Sequence, residues 1–178
     1  MISSFNGLTA IDVRDHAMVL LMAIYGLRAG EIRALRITDA DLTNRVLTIA
    51  REKTRDVQRF PLTPQVSRAI QKYVNRARPA SESPSLFLTT LRTYRPISAN
   101  GLYARVNDLF RRSGVESRHK GPHALRHACA NQLMDEGASV REIGAFLGHR
   151  NFASVREYAR YNVLHLRQIA EFSLEGLL

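Results

Sequence analysis

Apolar residues recur at helical spacing along most of this chain and alternate at strand spacing over one short stretch. This predicts a mainly α-helical fold with a small antiparallel β-sheet, an α+β arrangement. Thr9 and Asp12 form a capping-box pattern, and Ala17, Leu20, Leu21 and Ile24 line one face of the helix that follows, up to a stop at Gly26. A second short helix is predicted over Ala29 to Leu35. Asp39 and Asp41, after Thr38, supply turn chemistry. Val46 to Ala50 then reads as a strand, Arg51 to Asp56 as a polar turn and Val57 to Leu62 as the partner strand, which makes a hairpin or three-stranded sheet with Lys53 at its tip. Thr63 and Pro64 open a helix whose apolar face is Val66, Ala69, Ile70, Tyr73 and Val74. Pro79 to Pro96 reads as the loosest section.

The second half of the chain is helical throughout. From Ser98 to about Arg112 the apolar face is Leu102, Val106, Leu109 and Phe110, with Ser113-Gly114 as the stop. Pro122 begins the next helix, on which His123, Arg126, His127 and Ala130 share one face, and Leu125 marks the side expected to pack. Ser139 and Glu142 form a second capping box, for a short helix that Gly148 ends, with His149 just beyond. Ala153 to Tyr161 continues as a helical turn or two. Val163 to Leu178 is a further amphipathic helix carrying Leu166, Ile169, Ala170 and Leu174 on one side. No linker divides the chain, so residues 1–178 read as a single domain.

Composition narrows the function. The chain has 178 residues, 45% of them hydrophobic and 24% charged, the mixture of a soluble globular domain. No apolar run approaches the roughly 18 residues of a membrane span, and the N-terminus lacks the basic start and cleavage site of a signal peptide. A cytoplasmic location is expected. The single cysteine, Cys129, builds neither a disulfide framework nor a thiolate metal site. Net charge is +10, and the pI near 10.6 points to a polyanion such as nucleic acid as partner. Arginine outnumbers lysine by 23 to three, and Lys53 is one of those three.

Familiar metal and nucleotide chemistries find no support. The carboxylates are scattered rather than gathered as a two-metal phosphoryl-transfer site requires, and no phosphate-binding G-x-x-x-x-G-K-[ST] loop occurs. His123 and His127 have the i, i+4 spacing of a zinc helix, but Ala124 stands where a metalloprotease places its glutamate and no third ligand is evident. No cofactor or metal is expected.

Instead, cationic and donor groups are spread through the chain in five ordered segments. These are Tyr25-Gly-Leu-Arg28-Ala-Gly-Glu31, then Lys53-Thr54 followed by Phe60-Pro61-Leu62, then Pro122-His123-Ala-Leu-Arg126-His127, then Leu147-Gly148-His149, and finally Tyr158. In that combination the sequence resembles the catalytic domain of the tyrosine recombinases, the lambda-integrase-like DNA strand-exchange enzymes, from about Thr9 to Tyr161. The resemblance implies catalytic roles for Arg28, Lys53, His123, Arg126, His149 and Tyr158, and a supporting structural role for Glu31. Tyr158, nine residues beyond His149, matches the nucleophile; Tyr161, one turn further, is its alternative. Ala29-Gly30 and Ala159-Arg160 depart from the usual family residues without touching a catalytic position.

The chemistry suits those roles. A phosphodiester under attack becomes a more highly charged pentacoordinate centre, and two guanidinium forks can hold its non-bridging oxygens without a metal. A tyrosine hydroxyl of pKa about 10 needs a base or a cationic field to ionise, a part suited to His123. The leaving 5′-oxygen needs a proton, which a lysine such as Lys53 can give, and His149 can donate a hydrogen bond to the phosphate. The resemblance further implies double-stranded DNA as partner and a tetramer on DNA, with Val163 to Leu178 the candidate segment for docking on a neighbouring protomer; the alternative is that this helix closes on its own domain. It also implies an N-terminal DNA-binding domain, which is expected to be absent from this chain. The alternatives are a type IB topoisomerase-like activity and a non-cleaving DNA-binding module of the same fold.

Overall fold

The computed structural model describes residues 9–51, 56–114 and 121–148. Their elements run α1 (Ala10–Tyr25), α2 (Ala29–Ala34), a 3-10 turn (Ile37–Asp39), β1 (Ala40–Asp41), β2 (Val46–Ala50), β3 (Val57–Pro61), α3 (Pro64–Arg76), α4 (Ala99–Arg112), α5 (Pro122–Asp135) and α6 (Val140–Leu147). The fold is mainly helical, with one antiparallel sheet in the order β1-β2-β3. The chain divides into two compact units, one of residues 1–20 and 30–99 and the other of residues 21–29 and 100–178.

In the first unit α1 begins on the expected capping box. Asp12 Oδ2 accepts from the Thr9 backbone N–H at 2.9 Å and from its hydroxyl at 2.6 Å. The periodicity predicted one buried face for α1, but Val13, Arg14 and Asp15 are buried along with Ala17 to Met22. A helix buried on more than one side has little amphipathic signature, and its polar members then need internal partners. Arg14 finds them in Asp15, at 2.6 Å, and in the Leu88 carbonyl, at 3.0 Å.

The sheet follows from alternation. Leu47 and Ile49 of β2 are buried, and β2 pairs with β3 in the register Leu47↔Phe60, Thr48↔Arg59, Ile49↔Gln58 and Ala50↔Val57. Beyond the last pair, the Arg51 N–H donates to the Asp56 carbonyl at 2.8 Å. Asp41 closes the preceding turn by accepting from the backbone N–H groups of Thr43 and Asn44, and these bonds with the Asn44 side chain hold its carboxyl below the usual carboxylate range. The Thr63 hydroxyl caps α3, and Val66, Ala69, Ile70 and Tyr73 are buried as the helical period predicts.

Pro79 to Pro96 is where expectation and structure part. The segment holds Leu86, Phe87 and Leu88, all buried, and forms bridges Arg36↔Ser85 and Leu88↔Pro96. Arg78 fastens it from inside, donating to the carbonyls of Ser83 and Ser85 at 2.8 Å each and of Leu86 at 3.2 Å. Phe87 stacks on Tyr73, ring centroids 5.4 Å apart, while the Tyr73 hydroxyl accepts from the Leu88 N–H. Proline and serine made the segment read as loose, yet an apolar triplet anchored by one arginine needs no regular strand to be fixed.

The second unit contains α4, α5 and α6. Leu102, Val106 and Phe110 are the buried positions of α4, whereas Leu109 is only half-buried. On α5 and α6, Cys129, Ala130, Ile143 and Leu147 form a core flanked by Leu133, Met134, Ala138, Val140 and Phe146. Ser139 and Glu142 cap α6 reciprocally, which lowers the Glu142 pKa, and Gly148 ends it at φ 67°. Packing was expected on the Leu125 side of α5; the structure buries Arg126 and Asn131 as well, so this helix too is enclosed on more than one side.

Candidate active site

Three of the expected site residues, Arg28, His123 and Arg126, lie in the described part of the second unit. Arg126 is nearly fully buried on the first turns of α5, three residues after His123, which is exposed. Pro122 and Gly121 set that start: Pro122 supplies a preset first helical residue, and Gly121 takes φ 76°, a conformation that favours glycine. The His123 ring lies 6.5 Å from the Tyr103 ring, tilted at 58°.

The Arg126 guanidinium bridges two chain turns. Its Nη1 donates to the Gly26 carbonyl just after α1, and its Nη2 to the Leu147 carbonyl at 2.8 Å, at the end of α6. Arg28 reaches the same turn, with Nη2 3.4 Å from the Gly148 carbonyl. The turn that ends α6 thus accepts hydrogen bonds from both arginines, and the next residue in the chain is His149. Carbonyls at helix C-termini carry partial negative charge, so they attract guanidinium groups and fix the plane of the fork.

Gly26 makes this arrangement compact. Its φ is +58°, and an added Cβ would overlap Leu147 Cδ2 and stand 3.3 Å from Cys129 Sγ. Only a residue without a side chain brings the C-terminus of α1 this close to α5 and α6. Cys129 is buried there and donates weakly to the Ile24 carbonyl at 3.4 Å.

Glu31 belongs to the first unit, fully buried, with its Oε2 3.0 Å from Arg51 Nη1. Lys53, His149 and Tyr158, with the alternative Tyr161, lie outside the described residues, as does Val163 to Leu178. No described helix is long and apolar enough to cross a membrane.

A model of the phage integrase family matches residues 2–165. The chain belongs to the phage integrase family. Among relatives in that family, the protein named integrase/recombinase y4gC of Sinorhizobium fredii is 39% identical over 96% of this chain and 88% of its own length. Tyrosine recombinase XerC of Lactobacillus delbrueckii subsp. bulgaricus is 29% identical over 93% of this chain and 57% of its own. The crystal structure of XerA recombinase superposes with a TM-score of 0.74 at 25% identity, over 90% of this chain and 56% of that one. XerH recombinase, solved bound to its difH substrate, gives the same TM-score of 0.74 at 19% identity, over 95% of this chain and 49% of that one. The fold is therefore that of a tyrosine recombinase catalytic domain, and the chain spans about half the length of several of its relatives.

Within this integrase-family fold, two participants escaped sequence reasoning. Gly26 was read as a helix stop and as part of the Tyr25-Gly-Leu-Arg28 segment, and its close packing went unread. Arg51 read as the first residue of a polar turn, and nothing local distinguishes a buried arginine from a solvated one.

Proposed function

We propose that this chain is the catalytic domain of a site-specific DNA recombinase, working as one domain, that cleaves and rejoins double-stranded DNA through a 3′-phosphotyrosine. The observation that carries this reading is the shared turn at Leu147-Gly148, to which both Arg28 and Arg126 donate hydrogen bonds. Two arginine forks fixed on one scaffold suit a phosphate whose negative charge grows in the transition state.

In the proposed reaction the Tyr158 hydroxyl loses its proton with help from His123 and attacks the phosphorus. The bond to the 5′-oxygen breaks as the bond to tyrosine forms. Arg28, Arg126 and His149 hold the non-bridging oxygens, and Lys53 protonates the departing 5′-oxygen. Attack on the phosphotyrosine by a 5′-hydroxyl reverses the steps, so rejoining conserves the phosphodiester energy and needs no ATP. Work on two duplexes calls for a tetramer, in which Val163 to Leu178 docks on a neighbouring protomer. The absence of a described membrane-crossing helix and the net charge of +10 support action on the chromosome in the cytoplasm.

The test is recovery of SDS-resistant protein–DNA adducts from cells expressing the gene, with Tyr158→Phe and Tyr161→Phe beside the wild type. Adducts lost only in Tyr158→Phe are expected, and sequencing the attached DNA gives the target site. Adducts that survive in Tyr158→Phe and vanish in Tyr161→Phe would move the nucleophile. Salt-sensitive DNA binding with no adduct in any version would leave a non-cleaving DNA-binding module.

A further inference from the structure

The connection between α3 and α4 carries an exposed tip on a buried stem. Phe87, Leu88 and Ile97 are buried, Leu88 bridges Pro96, and the Ile97 N–H donates to the Phe87 carbonyl at 3.2 Å. From α1, Arg14 Nη1 donates to the Leu88 carbonyl. Above this stem the Thr89 N–H donates to the Arg95 carbonyl at 2.7 Å, and the Arg95 N–H donates in return to the Thr89 hydroxyl at 3.1 Å. The Tyr94 N–H closes a turn on the Leu91 carbonyl at 2.7 Å, with Tyr94 at φ 40°, a left-handed conformation that is costly for a bulky residue. Residues 89–95 are therefore a short closed finger rather than a slack loop, and a finger already fixed loses little freedom when it binds.

The tip combines apolar surface with positive charge. Leu91, at 72% exposure, is the most exposed large hydrophobic among the described residues, and Arg92 and Arg95 are exposed beside it. No carboxylate occurs in the sequence between Glu82 and Asp108. Such a tip repels a second copy of a chain whose net charge is +10, and it suits a polyanion that has apolar walls between its charges.

We propose that residues 89–95 are a DNA contact of their own, in which Leu91 enters the minor groove while Arg92 and Arg95 pair with phosphates on its rim. The groove is about 6 Å wide and admits a single branched side chain. Apolar wedges accompanied by arginine are a general means of binding there. The hydroxyls of Thr90 and Thr93 can donate to the base acceptors of that groove, and the finger carries none of the amides or carboxylates that read major-groove edges. The proposal rests on the reading of this chain as a DNA recombinase. Its finger belongs to the first unit, whereas Arg28, His123 and Arg126 belong to the second, so the contact holds the duplex and takes no part in the chemistry.

The test is DNA binding by the intact chain, followed by fluorescence anisotropy on an A·T-rich duplex between about 50 and about 200 mM salt. Substitutions at exposed positions leave the fold in place. The double variant Arg92→Gln with Arg95→Gln lowers the slope of log affinity against log salt by about 2, so wild type loses about tenfold more affinity than the variant over that range. Leu91→Ser binds about tenfold more weakly at every salt concentration, with the slope unchanged, because the lost contact is uncharged. Netropsin, which fills the A·T minor groove, weakens wild type towards the level of Leu91→Ser and weakens that variant little further.

Variants that bind with the affinity and slope of wild type overturn the proposal. Netropsin acting equally on wild type and Leu91→Ser places the leucine outside the minor groove and also overturns it. So does a Leu91→Ser protein that keeps its DNA affinity but no longer sediments with phosphatidylserine vesicles as wild type does, which assigns the finger to a membrane surface. Wild type without salt-dependent affinity for any duplex is a different failure: there the recombinase reading itself falls, and this contact with it.

Discussion

Arg51 and Arg126 are buried almost equally, at 1% and 4% exposure, and are held by different kinds of partner. Arg51 meets a carboxylate, Glu31, and a side-chain amide. Two of the hydrogen bonds of Arg126 go to main-chain carbonyls at the ends of two helices. A carboxylate cancels a guanidinium's charge and makes the two a neutral structural unit. Carbonyl dipoles orient the fork and leave its formal charge in place. The first arrangement suits a brace, and the second suits a group that must meet an anion.

The largest effect is expected from breaking the brace on one side. Glu31→Gln leaves the Arg51 cation buried against a neutral amide, which costs about 3–5 kcal/mol. For a chain of this size that lowers the melting temperature by roughly 10 °C. Replacing both partners, as Glu31→Met with Arg51→Met, removes the stranded charge and restores most of the loss in urea unfolding. A double variant as unstable as the two single losses added together would show that the pair is not a self-contained unit.

Arg126→Lys probes the other side of the comparison. Lysine keeps the charge but presents it as a point on a flexible stem, which cannot hold Gly26 and Leu147 in one fixed plane. Adduct formation is expected to fall about 10²–10³-fold, equivalent to roughly 3–4 kcal/mol in the barrier. DNA affinity should change by less than about threefold, since the charge persists. If the melting temperature dropped as far as in Glu31→Gln and the residual activity merely tracked the folded fraction, Arg126 would be a second brace.

The same contrast explains what was legible in the sequence. Local rules placed the capping boxes at Thr9 and Ser139, the β2–β3 pairing, the start of α3 and the end of α6, because each depends on neighbours within a few residues. The Arg28 and His123-Ala-Leu-Arg126 segments were legible as motifs, and the structure then brought both arginines to the turn before His149. What stayed hidden depends on long separations. Arg51 meets Glu31 twenty residues away, and Arg126 reaches Gly26 across a hundred. Burial of Leu86, Phe87 and Leu88 relies on Arg78 and Tyr73, which the proline- and serine-rich local composition does not announce. A helix enclosed on several sides, as α1 and α5 are, loses the one-sided stripe from which a packed face is inferred.

The smallest effect comes from a half-buried base with a different escape. Arginine stays protonated in a protein and has to be given partners, whereas histidine can release its proton. His16 on α1 has no hydrogen-bond partner for Nε2 among the described residues. Burial first, and the charge of Lys72 second, push its pKa below the ordinary 6.5. The folded protein therefore holds His16 neutral where the unfolded chain already binds a proton. Its contribution to stability is whole above pH 6.5 and is lost as the pH falls from there through the depressed folded value. Scanning calorimetry at about pH 7.5 and about pH 5.5, the usual range of histidine titration, should show a larger fall in melting temperature for wild type than for His16→Gln. Equal falls would mean that His16 takes up its proton without cost, and that burial here does not discriminate between a base that can be neutralised and one that must be paired.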